Sequence, residues 1–274
     1  MLFRSDRNRT SPFAFTGNRF EFRAVGSSAN CAGALTTLNA AVAEQLIDFK
    51  KALDVELEKG KTLQVAVMDT LKPIIAQIID TICFDGNGYS EEWQQEARRR
   101  GLDTETRVPE MFKAFTTPES VAMFTRTGVY TEKELAARNE VKWDIYIKKV
   151  QIESRVMVRM AINHIIPAAV EYRTRLLKEV ALNQQVMGQD GCGTEIELIR
   201  RIGGLIEEVS DRAESMRLAR KRANTLEGEY DRAMAYHAIA AQIEELRRPI
   251  DKLEELVDNQ LWPLPKYREL LFIS

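Results

Sequence analysis

Arginine is concentrated at the start of this 274-residue chain: Arg4, Arg7, Arg9, Arg19 and Arg23 fall within the first 23 residues, and Glu21 stands between the last two. From Asn18 to Phe22 polar and aromatic residues alternate. In an extended strand that period places Arg19, Glu21 and Arg23 on one face and turns Phe20 and Phe22 to the other, toward a core. Two guanidiniums flanking a carboxylate suit a phosphorylated anion bridged by a divalent metal. The carboxylate offers hard oxygen to Mg²⁺ or Mn²⁺, and each arginine offers a fixed fork of donors to phosphate or carboxylate oxygens. The plainer alternative is a strand with alternating charge on a solvated face. A third, stacking of nucleic-acid bases on Phe13, Phe15, Phe20 and Phe22, conflicts with two of those rings facing inward.

The run Asn8-Arg9-Thr10-Ser11-Pro12, then Asn18-Arg19-Phe20-Glu21-Phe22-Arg23 and Ala24-Val25-Gly26-Ser27-Ser28, resembles the C-terminal part of the catalytic domain of glutamine synthetase, most closely its large type III branch. Downstream, Glu44 to Leu57 resembles the helix after that motif. Asn87-Gly88-Tyr89-Ser90 to Trp93 is similar to a mid-domain loop, and Leu261-Trp262-Pro263 to Leu271-Phe272 to the closing segment. The sharp motif is confined to residues 6–28.

The resemblance implies a role for each matching position. Arg9 would be catalytic, contacting the nucleotide phosphates and the phosphoryl group in transfer. Arg19 would lie on the ATP phosphate side, and Glu21 would ligate the metal bridging those phosphates. Arg23 would hold the glutamate substrate and its developing γ-glutamyl phosphate. The interval Phe13-Ala14-Phe15-Thr16 lacks the basic residue that other branches place there, so a third phosphate-facing cation is not expected. In the family the other metal carboxylates, a metal-ligating histidine, the adenine pocket and the ammonium site all lie upstream of this motif. The chain is therefore expected to be the C-terminal part of a longer ATP- and Mg²⁺- or Mn²⁺-dependent ligase, inactive alone, within a homo-oligomer of stacked rings. The competing class is a non-enzymatic helical scaffold with an arginine-rich N-terminal arm.

Composition bounds the rest. Hydrophobic residues make up 45% of the chain, enough for a substantial core, and 39 basic against 41 acidic residues leave a net charge of −2, which gives no global field for nucleic acid. Cys31, Cys83 and Cys192 are widely spaced, without a Cys-x-x-Cys pair or a recognisable secretory leader, and this points to a reducing cytoplasm. No apolar run is long enough to span a bilayer. His164 and His237 lie in helical contexts and read as packed or surface imidazoles.

The expected architecture is mainly α: a short N-terminal strand within residues 1–30, the remnant of a catalytic domain, then a helical domain over 31–274. Leu38, Val42, Leu46, Phe49, Leu53 and Leu57 mark one face of a helix ended by Gly60. Val65, Val67, Met68, Leu71, Ile74, Ile75, Ile78 and Ile79 mark another over 62–82, with a kink or break at Pro73. Ser90 before Glu91 and Glu92 starts a helix, 101–118 reads as irregular, and a short helix from Pro118 or Glu119 ends at Gly128. Thr131 with Glu134 forms a capping box opening a helix past Leu182, interrupted by Pro167. On it Trp143, Ile147, Val150, Val158 and Ile162 form a core face, and Lys142, Lys148, Lys149, Arg155 and Arg159 a solvated one. After a loop at 188–193, the stripes Ile199, Ile202, Ile206, Val209, Ala213, Met216 and Ile239, Ile243, Leu246, Ile250, Leu253, Val257 require an antiparallel helical hairpin over about 194–260. Pro249 is expected to bend its second helix, and Trp262 to anchor the tail.

Overall fold

The computed structural model describes residues 13–15, 19–22, 30–84, 86–188 and 192–271. Arg4, Arg7, Arg9, Arg23, the Gly26-Ser27-Ser28 turn and Phe272 lie outside these residues. The chain divides into two compact units, residues 1–106 with 113–136, and residues 107–112 with 137–274. The fold is mainly α, as the helical periodicity requires.

In the first unit, strands β1 (Phe13–Phe15) and β2 (Phe20–Phe22) form an antiparallel pair in the register Phe13↔Phe22, Ala14↔Glu21, Phe15↔Phe20. The single expected strand thus has a partner. Helix α1 (Ala32–Glu58) stops before Gly60, whose φ of +81° only glycine adopts without strain. Helix α2 (Leu63–Ile78) runs through Pro73 without a break; in the preceding turns Ala66 and Thr70 are buried, and Thr70 Oγ1 donates to the Ala66 carbonyl at 2.8 Å. Helix α3 (Glu91–Arg99) begins at Ser90, whose Oγ accepts from the Trp93 amide at 3.2 Å. The stretch expected to be irregular instead contains α4 (Val108–Lys113), which belongs to the second unit up to Phe112, and a 3₁₀ turn over Ala114–Thr116 in the first. Helix α5 (Pro118–Arg126) closes at Gly128.

The core of this unit gathers Ala40 of α1 with Phe124 and Leu135, flanked by Phe115, Val121, Met123 and Tyr130. Arg126 clamps α1 to α5, donating to Glu44 Oε1 at 2.9 Å and pairing with Asp48. The docking covers only part of the expected stripe: Leu38, Phe49, Leu53 and Leu57 are half-buried and Ala40 is buried, whereas Leu46 is 60% exposed and Val42 is also exposed. On α2 only Ala66 and Thr70 are buried, and Val65, Met68, Ile74, Ile75 and Ile79 face out.

In the second unit, the box at Thr131 opens α6 (Glu132–Met160): Glu134 Oε2 accepts the Thr131 amide at 2.8 Å, and Thr131 Oγ1 accepts the Glu134 amide at 3.3 Å. This first turn belongs to the first unit, and the second begins at Ala137. A π turn over Ala161–Ile165 joins α6 to α7 (Ile166–Met187). Pro167 explains it. Its ring would clash with the carbonyl four residues back, and a widened turn immediately before it removes the conflict without ending the helix. The extra residue shifts the helical phase. Ala161 and Ile165 are buried, while Ile162, expected on the core face with Ile147, Val150 and Val158, is exposed.

Helices α8 (Gly193–Ala223) and α9 (Glu229–Leu256) form the expected hairpin. Ile202, Val209, Ala213 and Met216 from α8 join Ala233, Tyr236, Ile239, Leu246, Ile250 and Leu253 from α9 in one cluster that also takes in Ile147, Val158, Ile165 and Leu176. Pro249 is buried inside an uninterrupted α9. Trp262 docks into the same cluster, with Lys266 Nζ 5.8 Å from its ring centroid.

Truncating Leu246 to alanine opens a cavity in a fully buried position and is expected to destabilise the fold by about 2–5 kcal/mol, whereas Leu46→Ala should change stability by less than about 0.5 kcal/mol. Paired denaturant titrations check both, and equal losses would contradict the packing. A second expectation concerns acid. Hydrogen bonds of 2.6 Å from Arg99 and Arg100 hold the Glu96 carboxyl down to about 2 from its ordinary 4.5. A lowered folded-state value gives stability that is present above pH 4.5 and is lost as pH falls toward 2. A side-chain carbon NMR titration should find the Glu96 midpoint near 2; an ordinary carboxylate midpoint would rule out the paired geometry.

Candidate functional site

The hairpin β1–β2 holds the described part of the arginine-rich motif. Along β2 and the residue before it, period two brings side chains two residues apart to the same side, and Arg19, just before the strand, meets Glu21. Arg19 Nη2 donates to Glu21 Oε1 at 3.2 Å, with Nε at 3.4 Å from the same oxygen. Pairing through one acceptor oxygen differs from the bidentate fork in which each nitrogen has its own. The Arg19 side chain is 72% exposed and that of Glu21 34%. An ion pair this open is screened by water and contributes little to stability, so the fold does not need it for cohesion.

The structure therefore brings together two of the four expected site residues, Arg19 and Glu21. Arg9 and Arg23 lie outside the described residues. One expectation is corrected: Phe20 is 62% exposed and Phe22 37%, so the aromatic face of β2 is not packed into a core here. A ladder of three residues on each side is too small to bury its own rings. The partner strand was missed in the sequence, although Phe13-Ala14-Phe15 followed by Gly17-Asn18 carries both the alternation and the turn residues of a hairpin.

Glu21 supplies one hard oxygen ligand, the type a divalent cation takes, but Mg²⁺ or Mn²⁺ requires about six donors. Among the described residues no group of three or more His, Cys, Asp or Glu side chains is placed to hold a metal. The two histidines agree with the plain reading: His164 is exposed on the π turn, and His237 Nδ1 lies 3.0 Å from Tyr146 Oη. Cys31 and Cys83 are exposed thiols and Cys192 is a buried one. Among the described residues no helix is long and apolar enough to cross a membrane.

One lysine departs from the expected solvated face. Lys148 and Lys149 are exposed and pair with Asp144 and Glu153 one turn away. Lys142 instead is half-buried with its Nζ 5.9 Å from the Phe112 ring centroid, and burial, with Arg138 nearby, pushes its ammonium down to about 8.

The family model described as "Glutamine synthetase C-terminal domain" matches residues 66–184. Nearly the whole chain aligns with proteins named glutamine synthetase. It is 46% identical to one from Bacteroides fragilis, covering 99% of this chain and 38% of that protein. It is 29% identical to a type-3 glutamine synthetase from Dictyostelium discoideum, covering 98% and 37%, and 30% identical to a glutamine synthetase from Butyrivibrio fibrisolvens, covering 98% and 38%. The chain thus spans less than two-fifths of the length of these relatives.

The Lys142 environment gives a direct expectation. After reductive methylation with labelled formaldehyde, the Lys142 resonance should titrate near pH 8. A Lys142 midpoint at the ordinary 10.5 would show that its ammonium is fully solvated.

Proposed function

We propose, from the membership of this chain in the glutamine synthetase family, that it contributes a phosphate-binding strand and the helical C-terminal region to an enzyme that ligates ammonia to glutamate. The observation that carries this reading is the Arg19–Glu21 pair, held on one side of β2 inside the segment Asn18–Arg23. Residues 1–30 would then be the end of the catalytic domain and 31–274 the helical C-terminal domain. The proposal extends to a cytoplasmic enzyme assembled as stacked rings of identical subunits, with glutamate, ammonia and ATP as substrates.

In this reaction the γ-carboxylate of glutamate attacks the terminal phosphorus of ATP, releasing ADP and forming γ-glutamyl phosphate. Ammonia then attacks the acyl carbon, phosphate departs, and the ammonium intermediate loses a proton. Both steps concentrate negative charge on oxygen. In the proposed arrangement Arg19 donates to the nucleotide phosphates, Arg9 to those phosphates and the phosphoryl group in flight, and Arg23 to glutamate and the acyl phosphate. Cations fixed before the reaction stabilise that charge without reorganising as it develops. Mg²⁺ or Mn²⁺, with Glu21 among its ligands, would neutralise the bridging phosphate oxygens. The Glu21 contact also orients the Arg19 fork, since Nε and Nη2 both address its Oε1.

The test is made in a glutamine synthetase that carries this chain. Arg19→Ala is expected to lower kcat roughly 10²–10³-fold, as loss of one prearranged donor does. Glu21→Ala should raise the metal concentration needed for half-maximal rate and slow glutamine formation. Unchanged glutamine formation in the Glu21 variant removes its assignment as a metal ligand.

A further inference from the structure

Near the end of α8, Arg217 and Arg220 lie close to Arg155 of α6, and of the three only Arg217 has a carboxylate partner among the described residues. Arg220 lies one turn before Asn224, the residue that closes this helix. Its guanidinium Nη1 is shielded from solvent and has no hydrogen-bond partner. Burial, and then the Arg155 guanidinium contributed by α6, push the Arg220 side chain below the ordinary guanidinium value, with Arg217 adding to the effect and Tyr236 opposing it. No carboxylate is among the groups acting on it. Arg217 is already satisfied, since its Nε donates to Glu214 at 2.6 Å. Among the described residues neither Arg155 nor Arg220 is in an ion pair.

The neighbouring neutral groups are committed elsewhere. Tyr236 Oη donates to Asn224 Oδ1 at 2.7 Å, and Gln151 Nε2, one turn before Arg155 on α6, reaches the same oxygen at 3.4 Å. The negative end of α8 accounts for basic residues in its last turn. It does not account for a shielded, unmatched donor beside a second guanidinium. A buried charged donor without an acceptor is unfavourable, and two like charges close together add to that. One oxyanion accepting from both would relieve the two together.

We propose that Arg220 and Arg155 form a binding site for a small oxyanion, a phosphate or carboxylate group, beside the junction of α8 and α9. The site uses none of the residues assigned to ligation and stands whether or not that assignment holds.

Thermal unfolding of the full chain, with inorganic phosphate exchanged for chloride at constant ionic strength, tests it. The melting temperature is expected to rise saturably with phosphate, and the rise to vanish in Arg220→Gln. In Arg155→Gln the half-saturating phosphate concentration should increase roughly tenfold or more, the loss of one charge-assisted contact. Without phosphate, Arg155→Gln should melt higher than the parent, because removing it relieves the repulsion. A parallel acetate titration separates the two ligand classes, and saturable stabilisation by either anion that depends on both arginines supports the site. Circular dichroism checks folding. Should Arg220→Gln fail to fold, the exposed Arg155→Gln variant carries the test, with Arg200→Gln as a control for general loss of charge. The proposal is overturned if neither anion gives a saturable shift, or if the shifts in the arginine variants and the parent are equal.

Discussion

The apolar seam between α8 and α9 is the constraint on which the larger unit depends. A stripe of residues at three- and four-residue steps cannot be left in water, and each fully buried aliphatic side chain contributes about 1.5–3 kcal/mol. Two stripes of matching length on consecutive helices satisfy one another. Ala213 and Ala233, both inaccessible to solvent, keep the seam narrow enough for Met216, Tyr236, Ile239 and Leu246 to be covered completely. The remaining apolar elements attach to that pair: α6 by Ile147, Val150 and Val158, α7 by Ala169 and Leu176, and the chain's last described segment by Trp262.

Much of this was legible in the sequence, and the exceptions share a physical cause. Periodicity reports which side chains are apolar; it does not report which of them will find a neighbour. On α8 and α9 both halves of the contact lie in adjacent sequence, so the stripe and its cover were visible together. On α1 and α2 the stripes were equally clear, yet each is only partly covered: Leu38, Phe49, Leu53, Leu57 and Leu71 are half-buried, and Val42, Leu46, Met68 and Ile75 are exposed. Caps read well because they are local. Ser90 and Thr131 each accept an amide within three residues, so the sequence window contains the whole interaction. The strand β1 was missed because three residues give too short a run for alternation to stand out.

The same distinction applies to the chemistry. That Arg19 and Glu21 share a side of β2 follows from the two-residue period and is what the geometry contains. What they do together depends on groups contributed from elsewhere, because one carboxylate and one guanidinium can form a surface ion pair as readily as half of a metal–phosphate site. The exposed Phe20 and Phe22 are consistent with a strand that meets further apolar surface on that side. The roles proposed for the arginines rest on the likeness to glutamine synthetases.

The widened turn at Ala161–Ile165 sets a rule about chain length. A π turn holds one residue more than the α-helical turn it replaces, so deleting one member of this tract lets the turn close to ordinary helical geometry with α7 nearly in phase. One residue advances an α-helix by about 100°, so the same deletion in the regular part of α6 or α7 would rotate everything beyond it by more than a quarter of a revolution. Ala169 and Leu176 would then swing away from the hairpin. The widened turn is therefore the point in this long helical segment where the loss of one residue can be absorbed.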